Sequence, residues 1–121
     1  FERFLKDKGL QFVLTRMVPN PHESDLEIVK EYREQAIAND FHLDKLSLEM
    51  YINASILFDI LARVDGPISK EKIIEVAQNL KNHNLGGLIF DFNAQTRELS
   101  RTIWLDPGDG QSWIQYDVRQ E

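Results

Sequence analysis

The spacing of hydrophobic positions switches along the chain from helical to extended, back to helical, and finally to a period of two. Phe1, Phe4 and Leu5 share one side of a short amphipathic stretch with Lys8, and Gly9 is a natural residue to end it. Gln11 to Val18 is apolar and β-branched, which predicts a buried strand. That strand stops at Pro19-Asn20-Pro21, where each proline lacks a ladder donor and biases its predecessor toward extended geometry. Ser24 followed by Glu27 has the spacing of a capping box, so a helix is expected from Ser24 to Asn39. Its apolar residues, among them Leu26, Val29, Tyr32, Ala36 and Ile37, form one stripe on a charged surface helix.

The next predicted helix differs in kind. From Ser47, read as its N-cap, to Val64 the only charged residues are Glu49, Asp59 and Arg63. Apolar residues cover most of its circumference, which predicts burial on more than one side. Gly66-Pro67 ends it, and Ser69 caps a third helix running to about Lys81. After Gly86-Gly87 the period becomes two. "GLIFDFN", "LSRTIWLD" and "SWIQYDV" read as three strands, joined by turns at 94–97 and at Pro107 to Gly110. The strand at Gln11 to Val18 has no neighbour in sequence. It is therefore expected beside the closing hairpin or a borrowed partner, not in one continuous meander with the last three strands.

Composition narrows the function. The chain has 121 residues, 42% hydrophobic and 28% charged, which suits one folded α/β unit. Its net charge of −6 argues against nonspecific binding to nucleic acid or to an anionic membrane, both of which call for a basic face. With no cysteine there is neither a disulfide framework nor thiolate chemistry. No apolar run approaches the roughly 20 residues that span a bilayer. The opening Phe1-Glu2-Arg3-Phe4-Leu5 reads as the middle of a helix, as in a trimmed or mature piece of something longer.

A search for chemistry returns little. His22, His42 and His83 are far apart and lack a partner ligand at helical spacing, so surface or loop positions outweigh a metal site. Asp106 to Gly110 lacks the alternating oxygen ligands of a calcium loop and reads as a tight hairpin turn. Gly86-Gly87 precedes a strand, whereas phosphate loops follow one. Thr15 and Ser55 lie inside predicted elements, and no nucleophile–base–acid set can be ordered. Trp104, Trp113 and Tyr116 are better read as cross-strand packing than as a platform for bases. No enzyme emerges and no cofactor is implied.

Three ordered stretches carry a resemblance: "FVLTRMVPNP", "SLEMYINASILFDIL" and "LGGLIFDFNAQTRELSRTIWLDPGDGQSWIQYDV". Together they resemble the C-terminal part of type I periplasmic solute-binding proteins, the leucine/isoleucine/valine-binding class of ABC-transporter receptors. Met50 stands where that family usually has a small residue, and the turn at Asn93 to Arg97 lacks a common glycine. The resemblance implies a two-lobed fold with helices packed on short sheets. It assigns 1–19 and 102–121 to the second lobe and 20–101 to the first. Pro19, Asn20, Pro21 and Arg101 then lie at hinge crossings, and Lys45, Leu46 and Ser47 are implied as ligand contacts before the long helix. It further implies a small polar solute such as an amino acid, a membrane permease as partner, and a periplasmic or extracellular location. The competing reading is a standalone α/β interaction or regulatory module that dimerises through the long helix. Either way the chain by itself is expected to self-associate near Leu48 to Leu61, because that helix carries more apolar surface than its companions can cover.

Overall fold

The computed structural model describes residues 1–110 and 112–118, and over them the chain folds as α/β. In order come α1 (Glu2–Asp7), β1 (Leu14–Arg16), α2 (Glu27–Ala38), α3 (Lys45–Ala62) and α4 (Lys70–Gln78). Then follow β2 (His83–Leu85), β3 (Leu88–Phe90), β4 (Thr102–Asp106) and β5 (Ile114–Asp117). Two separate antiparallel sheets result, one ordered β1-β4-β5 and the other a β2-β3 hairpin. The isolated first strand indeed lies beside the closing hairpin, with Thr15 opposite Leu105 and Arg16 opposite Trp104. It is shorter than expected, three residues instead of the eight from Gln11 to Val18.

The helix starts shift, each for a visible reason. Ser24 does not cap α2: the N-cap is Leu26, and the Ser24 hydroxyl accepts only the Leu26 N–H at 3.4 Å. The free N–H of Ile28 in the first turn is instead taken by the Gly86 carbonyl at 3.0 Å. A carbonyl from the β2–β3 turn thus does the work of a cap. Nor does Ser47 cap α3. Asp44 does, accepting the Ser47 N–H at 2.8 Å, so the cap lies three residues earlier than expected and the helix begins at Lys45. Ser69 does cap α4, accepting the Lys72 N–H.

The strand β2 was not expected. Gly86 and Gly87, at φ +56 and +92, form the two-residue turn of a hairpin whose first arm is only His83–Leu85. A Gly-Gly pair supplies the left-handed conformations such a turn requires. The predicted pairing of "GLIFDFN" with "LSRTIWLD" is only partial. Asp91 N–H reaches Leu99 O at 2.9 Å and Asn93 bridges Glu98, after which the chain leaves for the other sheet at β4.

The core gathers Val18, Ile28, Val29, Tyr32, Leu80, Leu88, Phe90 and Trp104 around one stripe of α3. That stripe is Leu48, Ile52, Ile56 and Ile60, an unbroken i, i+4 run. Burying four such side chains contributes roughly 6 to 12 kcal/mol, far more than any single cap. The expectation that α3 is buried on several sides does not hold within the described chain. Its opposite side leaves Leu46 69%, Met50 61%, Leu57 47% and Phe58 69% exposed.

Candidate functional site

Local chain geometry brings distant segments to one cleft. Asn20 closes an Asx turn by accepting the His22 N–H at 3.0 Å, which fixes the exit that Pro19 and Pro21 stiffen. The Asp44 cap fixes the start of α3 and so places Lys45. The β4–β5 connection turns at Gly108, whose N–H donates to Asp106 Oδ1 at 2.8 Å, and carries Trp113 back past the sheet. Between these three places lies a cleft of about 370 Å³. Glu2 and Lys6 of α1, Asn20-Pro21-His22, Leu43-Asp44-Lys45, Asp106, Gly108, Gly110 and Trp113 line it.

An ion network centred on Arg16 reaches its lining through Glu2, Lys45 and Asp106. Arg16 donates to Asp106 Oδ2 from Nε at 3.1 Å and from Nη2 at 2.7 Å, and Nη2 also donates to Glu2. Lys45 Nζ stands 3.7 Å from Glu2 Oε1. Both cations approach the face of Trp113, Arg16 at 5.5 Å and Lys45 at 6.0 Å from the ring centre. Asp106 is only 8% exposed. Burial pushes its carboxyl up, but the Arg16 hydrogen bond, the Gly108 N–H and the Arg16 charge outweigh that, so it titrates below the usual range. The Arg16 hydrogen bond likewise holds Glu2 below its ordinary value. Carboxylates and ammonium groups therefore line one cleft beside an aromatic ring. Such a lining can take both ends of a small zwitterion, carboxylate to Lys45 or Lys6 and ammonium to the acids.

The predicted site residues are divided by the structure. Lys45, Asn20 and Pro21 line this cleft. Pro19 is fully buried and lines an adjoining one of about 200 Å³ beside Trp104 and Trp113. Leu46 lies on the exposed side of α3. Ser47 is held by Tyr32 Oη at 2.5 Å and by the Asp44 carbonyl at 3.2 Å. Arg101 stands apart, donating to Glu98 at 3.1 Å in a polar cleft with Gln78, Lys81 and Asn93. Glu2, Lys6, Asp44, Asp106 and Trp113 were missed because no spacing rule links four remote segments. The three aromatic side chains pack within the sheet region, Trp113 against the core cluster that holds Trp104. Trp104 faces the core, whereas Tyr116 pairs with Ile103 on the other face of the sheet.

Among the described residues, no group of three or more His, Cys, Asp or Glu side chains is placed to hold a metal ion, and no helix is long and apolar enough to cross a membrane. No protein-family model matches the chain, and no curated protein matches it. A solved structure does: a possible leucine/isoleucine/valine-binding protein from Rhodopirellula baltica SH 1, with a TM-score of 0.70 and 22% identity. The match covers 95% of this chain, which spans only 38% of that protein. That likeness shows the fold: this chain has the α/β architecture of the corresponding part of that binding protein.

Proposed function

We propose that the chain is the C-terminal portion of a solute-binding receptor of an ABC transport system, acting in the periplasm or outside the cell, where it binds and delivers without catalysis. The observation that carries this reading is the cleft lined by Asn20, Pro21 and Lys45 together with Glu2, Asp106 and Trp113. Residues assigned to the first lobe, 20–101, meet there with residues assigned to the second, 1–19 and 102–121. The paired charges suit an amino acid or a similar small polar molecule, and the neighbour of like fold is described as a leucine/isoleucine/valine-binding protein. A permease is the partner this reading implies. Pro19-Asn20-Pro21 and Arg101 sit at the two crossings between lobes, where restricted φ guides a hinge.

Fluorescence of Trp113 tests the reading. Titration with leucine, isoleucine or valine is expected to give a saturable change in the millimolar range that Trp113→Phe and Lys45→Ala both remove. A change that survives both substitutions would refute it. The second reading, an interaction or dimerisation module, is favoured by one observation, the exposed apolar side of α3. Self-association through that helix is expected under it.

A further inference from the structure

Arg16 holds two carboxylates, and they are of different kinds. Asp106 takes two hydrogen bonds from the guanidinium, accepts the Gly108 N–H as well, and its side chain is 11% exposed. It ends β4, a strand paired on both sides. Glu2 accepts from Arg16 Nη2, stands 3.7 Å from Lys45 Nζ, and its side chain is 43% exposed. It sits on α1, a six-residue helix with no buried residue. A helix that short is marginal by itself. Among the described residues, the backbone hydrogen bonds of 1–10 all stay inside that segment. The segment leads toward β1 through Gly9, a left-handed residue (φ +65) with open space where a Cβ would be. Among the described residues, the ion pairs that tie α1 to the cleft are those of Glu2.

We infer that Arg16, Lys45 and the Trp113 ring form a carboxylate-binding subsite, and that Glu2 is its tethered occupant, displaced when a solute carboxylate binds. The structure already holds a carboxylate at the donors a free one would meet. These are Arg16 Nη2 and Lys45 Nζ, and both cations lie near the Trp113 ring. The Arg16 hydrogen bond lowers the Glu2 pKa, so the subsite favours the charged form of such a group. Glu2 can give way because ion pairs exposed to this degree are weak. Asp106 cannot, being buried and bonded through both oxygens. A tethered side chain competes as a ligand would at an effective concentration on the order of millimolar. Free carboxylates are therefore expected to bind the intact chain in that range. This deepens the solute reading, on which it rests for the source of the carboxylate. It fixes which end of an amino acid faces Arg16 and Lys45, and it makes Glu2 the group that holds affinity down.

Isocaproate is leucine without its ammonium group, and isoamylamine is leucine without its carboxylate. Each is titrated into the chain while the Trp113 indole resonance is followed. Glu2→Gln is expected to tighten isocaproate about tenfold, as removal of a competitor that fills the subsite about nine-tenths of the time requires. Isoamylamine is expected to gain nothing. Asp7→Asn removes the same charge from an exposed position on α1 and is expected to change isocaproate binding less than about twofold. Adding Lys45→Ala to Glu2→Gln is expected to cancel the gain. The inference is overturned if isocaproate does not bind, or binds Glu2→Gln no more tightly than the wild type. An equal gain in Asp7→Asn, or one that survives Lys45→Ala, overturns it too. Leucine keeps the two readings apart. A tighter isocaproate complex with no leucine binding by either chain retains the subsite and refutes the solute reading. Leucine binding with no isocaproate gain does the reverse.

Discussion

Arg16 and Asp106 are 90 positions apart, yet the Arg16 guanidinium grips one Asp106 oxygen with two hydrogen bonds, at 3.1 and 2.7 Å. Both side chains are largely buried, 16% and 11% exposed, so neither finds water to replace its partner. The pair locks β1 to β4, and its Asp106 member lines the cleft. Arg16→Met is expected to cost about 3 kcal/mol, since it strands a buried carboxylate. Urea denaturation measures this, and a loss below about 1 kcal/mol would show the pair to be dispensable.

The same pair sets an acid limit. Asp106 and Glu2 both titrate lower in the folded chain than in the unfolded one. Their contribution is therefore complete above the unfolded carboxylate values near pH 4, and it disappears as pH falls toward the depressed folded values. Stability is expected to be flat from about pH 7 to 5 on their account and to decline below about 4. Arg16→Met should decline less steeply there, which denaturation midpoints across that range would reveal.

Gly86 joins two parts of the first-lobe assignment. Its carbonyl accepts the Ile28 N–H, its φ is +56, and a Cβ on it would lie 2.6 Å from Ile28 backbone nitrogen. Gly86→Ala is expected to cost about 3 kcal/mol, combining left-handed strain with a backbone displacement. Gly9→Ala is the control. Gly9 has φ +65 and nothing near its would-be Cβ, so about 1 kcal/mol of strain alone is expected. Equal losses at the two sites would mean that the Gly86–Ile28 contact contributes nothing.

What was legible in the sequence follows from where each signal resides. The proline exit, the Ser69 cap and the pairing of β1 beside the closing hairpin were readable because they are local patterns or gaps in local pairing. The α2 start was misplaced because its first-turn N–H is satisfied by Gly86, nearly 60 residues away, which no capping rule sees. Strand β2 escaped because three residues, His83–Leu85, carry too little alternation, although Gly86-Gly87 was a hairpin signal. For the cleft, Lys45, Asn20 and Pro21 came from resemblance, while Glu2, Asp106 and Trp113 converge only through the fold.

If the cleft is one part of a larger site, the chain alone binds weakly, since closure of two lobes around a solute supplies much of the affinity. Thermal-shift screening against amino acids at low millimolar concentration is expected to raise the melting temperature by less than about one degree. A reproducible rise of several degrees would mean that the described chain holds a complete site.

The central claim is that solute contacts this cleft, and heteronuclear NMR of the isotopically labelled chain tests it most directly. During titration with leucine, isoleucine and valine, resonances of Asn20, His22, Lys45 and the Trp113 indole are expected to move progressively together. The Arg101 cleft, lined by Gln78, Lys81 and Asn93, is expected to stay still. Movement confined to that second cleft, or none anywhere up to the solubility of the amino acids, would contradict the account.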